Sequence, residues 1–114
     1  MIAVIFEVIP HPEHKQEYLD IAASLRPELE KIDGFISIER FQSLVDPNKL
    51  LSLSFYENEE ALNQWRNVES HRMAQAVGRE KIFDDYRIRI VSVMRDYTMS
   101  ERDEAPADSR SRHG

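Results

Sequence analysis

Residues 58–97, NEEALNQWRNVESHRMAQAVGREKIFDDYRIRIVSVMRDY, begin with a helical pattern and end in strand alternation. They hold the only tryptophan, Trp65, and His71, the one histidine inside a helical pattern. Asn58 is a good N-cap, and Glu59 and Glu60 fill the first turn, where the helix dipole favours acids. The pattern continues through Ala61, Leu62, Trp65 and Arg66. Asn67-Val68-Glu69-Ser70 predicts a break and a recap at Ser70. A second helix then carries His71, Met73, Ala74 and Val77 and slows at Gly78. From Tyr86 to Tyr97 the period becomes two, with Ile88, Ile90, Ser92 and Met94 set against Arg87, Arg89, Val91, Val93 and Arg95. This is the last strand, and its alternating arginines read as one solvated face.

Upstream, Ile2 to Ile9 is apolar on both faces except at Glu7. That pattern belongs to a central strand covered on both sides. Glu7 reads as a carboxylate reached by water or an arginine, or else as a pocket-facing group. Pro10 and Pro12 end the strand. From Glu13 to about Ile32, Tyr18, Ala22, Leu25, Leu29 and Ile32 recur at helical spacing between charged residues. Pro27 predicts a kink or break, and Asp33-Gly34 a left-handed stop. Phe35 to Ser43 alternates Phe35, Ser37, Glu39 and Phe41 with Ile36, Ile38, Arg40 and Gln42. After the turn at Val45–Lys49, Leu50 to Glu57 sets Leu51, Leu53 and Phe55 against Ser52, Ser54 and Tyr56. These two strands make an antiparallel hairpin.

The order strand, helix, strand, strand, helix pair, strand predicts an α+β fold, the ferredoxin-like βαββαβ with an antiparallel sheet. Helices cover one face of such a sheet. The first and last strands are apolar on both faces, so the other face requires a cover, and a second copy is the simplest one. Residues 1–97 form the domain. Residues 98–114, TMSERDEAPADSRSRHG, bury too little to order themselves and predict a mobile tail or an arm crossing to a partner subunit.

At 114 residues the chain has the length of one domain. A net charge of −6 argues against nucleic acid or an anionic membrane as partner. The absence of cysteine excludes thiol catalysis, disulfides and thiolate metal sites. The N-terminal apolar run is too short to span a bilayer and lacks the flanks of a signal peptide, so the cytoplasm is the expected location.

The run Phe55-Tyr56-Glu57-Asn58-Glu59-Glu60-Ala61-Leu62, then Trp65, Ser70-His71, Phe83-Asp84-Asp85-Tyr86 and Arg95-Asp96-Tyr97, resembles the antibiotic biosynthesis monooxygenase (ABM) domain family. The resemblance implies a dimeric α+β barrel with a pocket between helices and sheet in each subunit. Members include cofactor-independent monooxygenases of quinols and polyketide anthrones, haem-binding and haem-degrading proteins, and copies without known activity.

A cofactor-free oxygenase relies on its substrate to reduce O₂, and the protein supplies an apolar pocket, a base and donors for the anion. His71 is the candidate base because imidazole titrates nearest neutrality. Its place at a helix start would also favour an anion. Trp65 could wall an aromatic substrate, with Tyr56, Asn63 and Arg72 as further substrate contacts. The competing readings are a core tryptophan and a solvated cap histidine. In the haem-degrading branch an Asn on the first strand, a Trp and a His ten residues later form the site. Here those positions hold Glu7, Trp65 and Gln75, so only Trp65 matches. His11 and His14 make an H-x-x-H pair without a third ligand, which reads as a solvated turn rather than a metal site. The expectation is therefore a homodimeric oxygenase of a phenolic small molecule with no resident cofactor or metal. A non-catalytic small-molecule-binding or stress-response dimer is the alternative.

Overall fold

The computed structural model describes residues 1–75 and 82–107, with the side chains of 70–75 left out. The elements are β1 (Ile2–Pro10), α1 (Lys15–Leu29), β2 (Phe35–Gln42), β3 (Leu50–Tyr56), α2 (Glu59–Gln75) and β4 (Phe83–Ser92). One four-stranded antiparallel sheet has the order β2-β3-β1-β4, the ferredoxin-like arrangement the element order predicts. Strand β1 is central. Val4 lies between Ser54 and Ile90, and Phe6 between Ser52 and Ile88. Directly paired residues share a face, so Ile2, Val4, Phe6 and Val8 point to the helices. Ala3, Ile5, Glu7 and Ile9 point to the open side.

Helix α1 follows a single 3₁₀ turn, Pro12–His14, and buries Tyr18, Ala22, Leu25 and Leu29. The chain runs through Pro27 without breaking and leaves the helix at Leu29, short of the expected Ile32. Pro27 forfeits the bond that an N–H there would make to the Ala23 carbonyl, and the helix ends two residues beyond it. Bonds of the tighter type close the end, from Lys31 N–H to Glu28 O at 3.2 Å and from Ile32 N–H to Leu29 O at 3.0 Å. Gly34, at φ +93°, serves the entry into β2 rather than the helix stop.

Three further expectations are corrected. Helix α2 is continuous from Glu59 to Gln75, with no recap at Ser70. Leu62, Trp65 and Val68 keep to the core side at helical spacing, and Asn67 simply faces water. Asn58 does cap the helix, its Oδ1 accepting the Ala61 N–H at 2.9 Å. Val77 and Gly78 lie outside the described residues. Strand β4 runs from Phe83 to Ser92, not from Tyr86 to Tyr97. It starts early because Phe83 is buried, with ring centroids 6.0 Å from Phe6 and 5.6 Å from Tyr18. It ends where β1 runs out: Ser92 pairs with Ile2, and the Val93 N–H reaches only Met1 O, at 3.0 Å. In β2 a register shift at Ile36 turns Phe35 to the helix side, away from Ser37, Glu39 and Phe41.

Two clusters form the core. One gathers Val4, Leu25, Leu29, Ile38, Tyr56 and Trp65; the other gathers Phe6, Val8, Tyr18, Leu50, Ile82 and Phe83. The helix layer stops short of β4, leaving Ile88 and Ile90 40% and 49% exposed. Residues 98–107 fold into local turns, with Ala105 buried and Arg102 over the Tyr97 ring at 5.4 Å. Among the described residues no helix is long and apolar enough to cross a membrane.

Gly34 combines a left-handed backbone with tight space, since a Cβ there would lie 3.1 Å from the Ala61 Cβ. Gly34→Val should therefore cost about 1–3 kcal/mol, the range for a strained backbone position. Chemical denaturation with an unchanged m-value is the measurement that checks it.

Candidate functional site

The helices and the sheet enclose a crevice. Tyr18 and Leu25 from α1, Trp65 and Glu69 from α2, and Ile38 and Arg40 from β2 are among its walls, and Phe6 and Ser52 form part of its floor. Each arrives there for a local reason. Tyr18 and Leu25 share the apolar stripe of α1, and Trp65 and Glu69 are one helical turn apart on α2. Arg40 is in register with Ser52, which in turn faces Phe6. The space amounts to ≈ 400 Å³ with its open mouth included, but only ≈ 20 Å³ admits the centre of a water-sized molecule. That is room for about one ordered water. An organic ligand therefore requires the helix layer to part from the sheet.

An apolar crevice with a few polar groups is the usual form of a small-molecule site. Here those groups are Arg40, Tyr18, Ser52 and Glu69, with Tyr56 alongside. The Nε of Arg40 and the hydroxyl of Tyr56 are both buried and have no hydrogen-bond partner among the described residues. Burial raises the Tyr18 pKa above the ordinary tyrosine value; Arg40 acts against that shift and the Glu69 carboxylate adds to it. Burial pushes Tyr56 up to about 12, with Ser54 and Arg40 pulling weakly the other way. Ser54 thus influences the phenol without closing a well-formed hydrogen bond to it.

Of the residues singled out by sequence, Trp65 lies on the crevice wall and is also core, 6.3 Å from the fully buried Tyr56 ring. Tyr56 lies beside the crevice. Asn63 is exposed on α2 and is not among the lining residues. The side chains of His71 and Arg72 lie outside the described residues. The backbone at His71 is nonetheless inside a continuous helix, so it offers no free N–H groups to an anion, contrary to the expectation of a helix start.

Glu7 takes the open face, with its carboxylate oxygens 3.6 Å from Lys49 Nζ and 3.6 Å from Arg89 Nη1. It is therefore separated by the sheet from Trp65, and the two cannot share one ligand. Together with Gln75 in the histidine position, this arrangement does not fit the haem-degrading site. His14 Nδ1 is engaged by Glu17 at 2.9 Å, with the His11 and His14 rings 6.4 Å apart. Among the described residues no three His, Asp or Glu side chains group to hold a metal.

Sequence reasoning left Arg40, Tyr18, Ser52 and Glu69 without a role. Two signals were available. Arg40 is in phase with Ile38 in its strand, and Tyr18 puts a polar tip into an otherwise aliphatic helix stripe.

A family model described as antibiotic biosynthesis monooxygenase matches residues 1–77. A curated protein of Pyricularia oryzae, named Jasmonate monooxygenase ABM, is 50% identical over 93 residues, 82% of this chain. The match spans 43% of that relative, so the chain covers less than half of its length. Among solved structures, a Mycobacterium tuberculosis protein superposes with a TM-score of 0.74 at 17% identity, covering 85% of this chain and 98% of that one. A Nitrosomonas europaea protein carrying the antibiotic biosynthesis monooxygenase name gives a TM-score of 0.69 at 10% identity, covering 82% and 89%. At these identities the structural likeness speaks for the fold.

The buried phenol of Tyr56 makes stability depend on alkaline pH. With its pKa near 12 when folded and 10.0 for an ordinary tyrosine, the unfolded chain loses the proton first. The contribution is therefore whole below about pH 10 and falls away as pH rises towards 12. Denaturation midpoints measured from pH 9 to 11.5 should decline less steeply in Tyr56→Phe than in the wild type. Since that substitution also removes an unpaired buried hydroxyl, it should leave stability at pH 7 unchanged or slightly raised.

Proposed function

Since the chain belongs to the antibiotic biosynthesis monooxygenase family, we propose that it oxidises a small, largely apolar molecule with O₂ in the crevice between its helices and its sheet. The observation that carries this reading is an apolar crevice holding Trp65 and a short set of buried polar groups. Two substrate chemistries suit such a lining. A quinol, anthrone or similar phenol gives an electron-rich anion once deprotonated, and that anion reduces O₂ without metal or flavin. The balance for an anthrone is R₂CH₂ + O₂ → R₂C=O + H₂O. The second is a jasmonate-type carboxylic acid, after the name of the 50% identical relative. His71 is the proposed base, and Trp65 and Tyr56 the aromatic wall. Arg72 completes the proposed contacts from α2, whereas Asn63, exposed and outside the crevice lining, takes no part in them.

The narrowness of the crevice favours a second reading, a dimer that binds a small ligand without transforming it. Oxygen uptake separates the two. Wild-type protein and His71→Ala are given a panel of hydroquinones, anthrone and jasmonic acid, with and without added haem. Uptake without haem is expected, reduced about a hundredfold or more by the substitution, as for loss of a general base. No uptake with any compound overturns the oxygenase, and equal rates in both proteins remove His71 from it.

The same reading includes a homodimer. Ile5, Leu53, Phe55 and Val91 stand on the sheet face that no helix covers, and burying that face against a second copy removes them from water. Leu53→Glu at the middle of the face should shift sedimentation from dimer to monomer at micromolar protein. A wild type that sediments as a monomer would remove the dimer instead.

A further inference from the structure

The geometry points to Arg40 as the anchor for the carboxylate of a bound small acid, with the Tyr18 hydroxyl beside it. Nothing in the family reading assigns this residue, and the inference deepens the function proposed above by naming the group that the crevice recognises.

Three observations support it. First, Arg40 sits on the edge strand β2, where a long side chain could reach water, yet its Nε is buried and has no hydrogen-bond partner among the described residues. A guanidinium is always charged, and its fork of N–H groups matches a carboxylate in shape. Second, Tyr18 lines the same crevice as Arg40, which acts on its phenol both by charge and by a hydrogen bond, so a guanidinium and a hydroxyl share one wall. A buried, charged donor left unpaired beside a cleft is an acceptor site without its acceptor. Third, the space beside it is small and mostly apolar, with Phe6, Leu25, Ile38 and Trp65 on the walls. Such walls suit a ligand with a greasy body and one polar end.

Glu69 is the acidic residue on the crevice wall, and its charge opposes an incoming anion. The two side chains therefore carry opposite signs of effect. Removing the arginine should weaken an acid, and neutralising the glutamate should tighten it.

The full chain is titrated with jasmonic acid and with its methyl ester, read by the fluorescence of Trp65, the only tryptophan. Wild-type protein should bind the acid about tenfold or more tighter than the ester, the scale of one charge-assisted hydrogen bond. Arg40→Gln should abolish that preference by weakening the acid alone. Glu69→Gln should raise acid affinity and leave the ester unchanged. Equal binding of acid and ester by the wild type, binding of neither, or a preference that survives Arg40→Gln would each overturn the assignment. The wild-type comparison needs no variant, so it decides even if Arg40→Gln fails to fold. Oxygen uptake on the same samples keeps the two proposals apart. An acid preference without uptake sinks the oxygenase and leaves Arg40 in place, and uptake without a preference does the reverse.

Discussion

The structure depends on one constraint, a central strand that must be kept dry on both sides. Strand β1 offers Val4, Phe6 and Val8 to the helices and Ala3, Ile5 and Ile9 to the opposite face. Hydrogen bonds to β3 and β4 hold it in the middle of the sheet, so neither face can be turned away. Each apolar side chain taken out of water is worth about 1.5–3 kcal/mol. The helix side collects that gain within the chain: Tyr18, Leu25 and Leu29 from α1 and Trp65 from α2 close over Val4 and Phe6. The open side has no such layer.

Much of this was legible in residue pattern. The two-sided apolar run at Ile2 to Ile9, the stripe from Tyr18 to Leu29 and the alternation of Arg87 and Arg89 with Ile88 and Ile90 marked β1, α1 and β4, and with the hairpin between them they marked the class of fold. What pattern could not supply was context. Phe35 changes face because Ile36 is an extra residue in the ladder, and period-two reasoning assumes that none is inserted. Asn67 and Ser70 favour caps in isolation, but Trp65 and Val68 hold the helix to the core and override them. Strand β4 stops at Ser92 for want of a neighbour, a property of β1 rather than of its own residues.

The candidate site was only half legible. Trp65 announced itself as the only tryptophan, and a tryptophan on an amphipathic helix lines either core or pocket; here it does both. Glu69 carried no such mark and Arg40 only its phase with Ile38, because a charged residue in a strand or helix reads as solvated surface. Only the register with Ser52 and the packing of α2 bring them under the helix layer. The polar side of β3 explains the rest. Ser52, Ser54 and Tyr56 face the helices while Leu51, Leu53 and Phe55 face outward, so the covered side of this strand is the more hydrophilic one. That inversion places hydroxyl groups at the bottom of an oily cleft.

Glu7 gives the uncovered side a character of its own. One carboxylate stands among aliphatic neighbours, held by Lys49 and Arg89 and directly across from Arg87. Oil alone is indifferent to sliding, whereas an ion set within it is not, since a displaced partner would strand charge away from both water and counter-charge. Any surface that settles on this sheet must therefore meet it at a fixed offset, and the acid with its basic neighbours acts as the key that sets it.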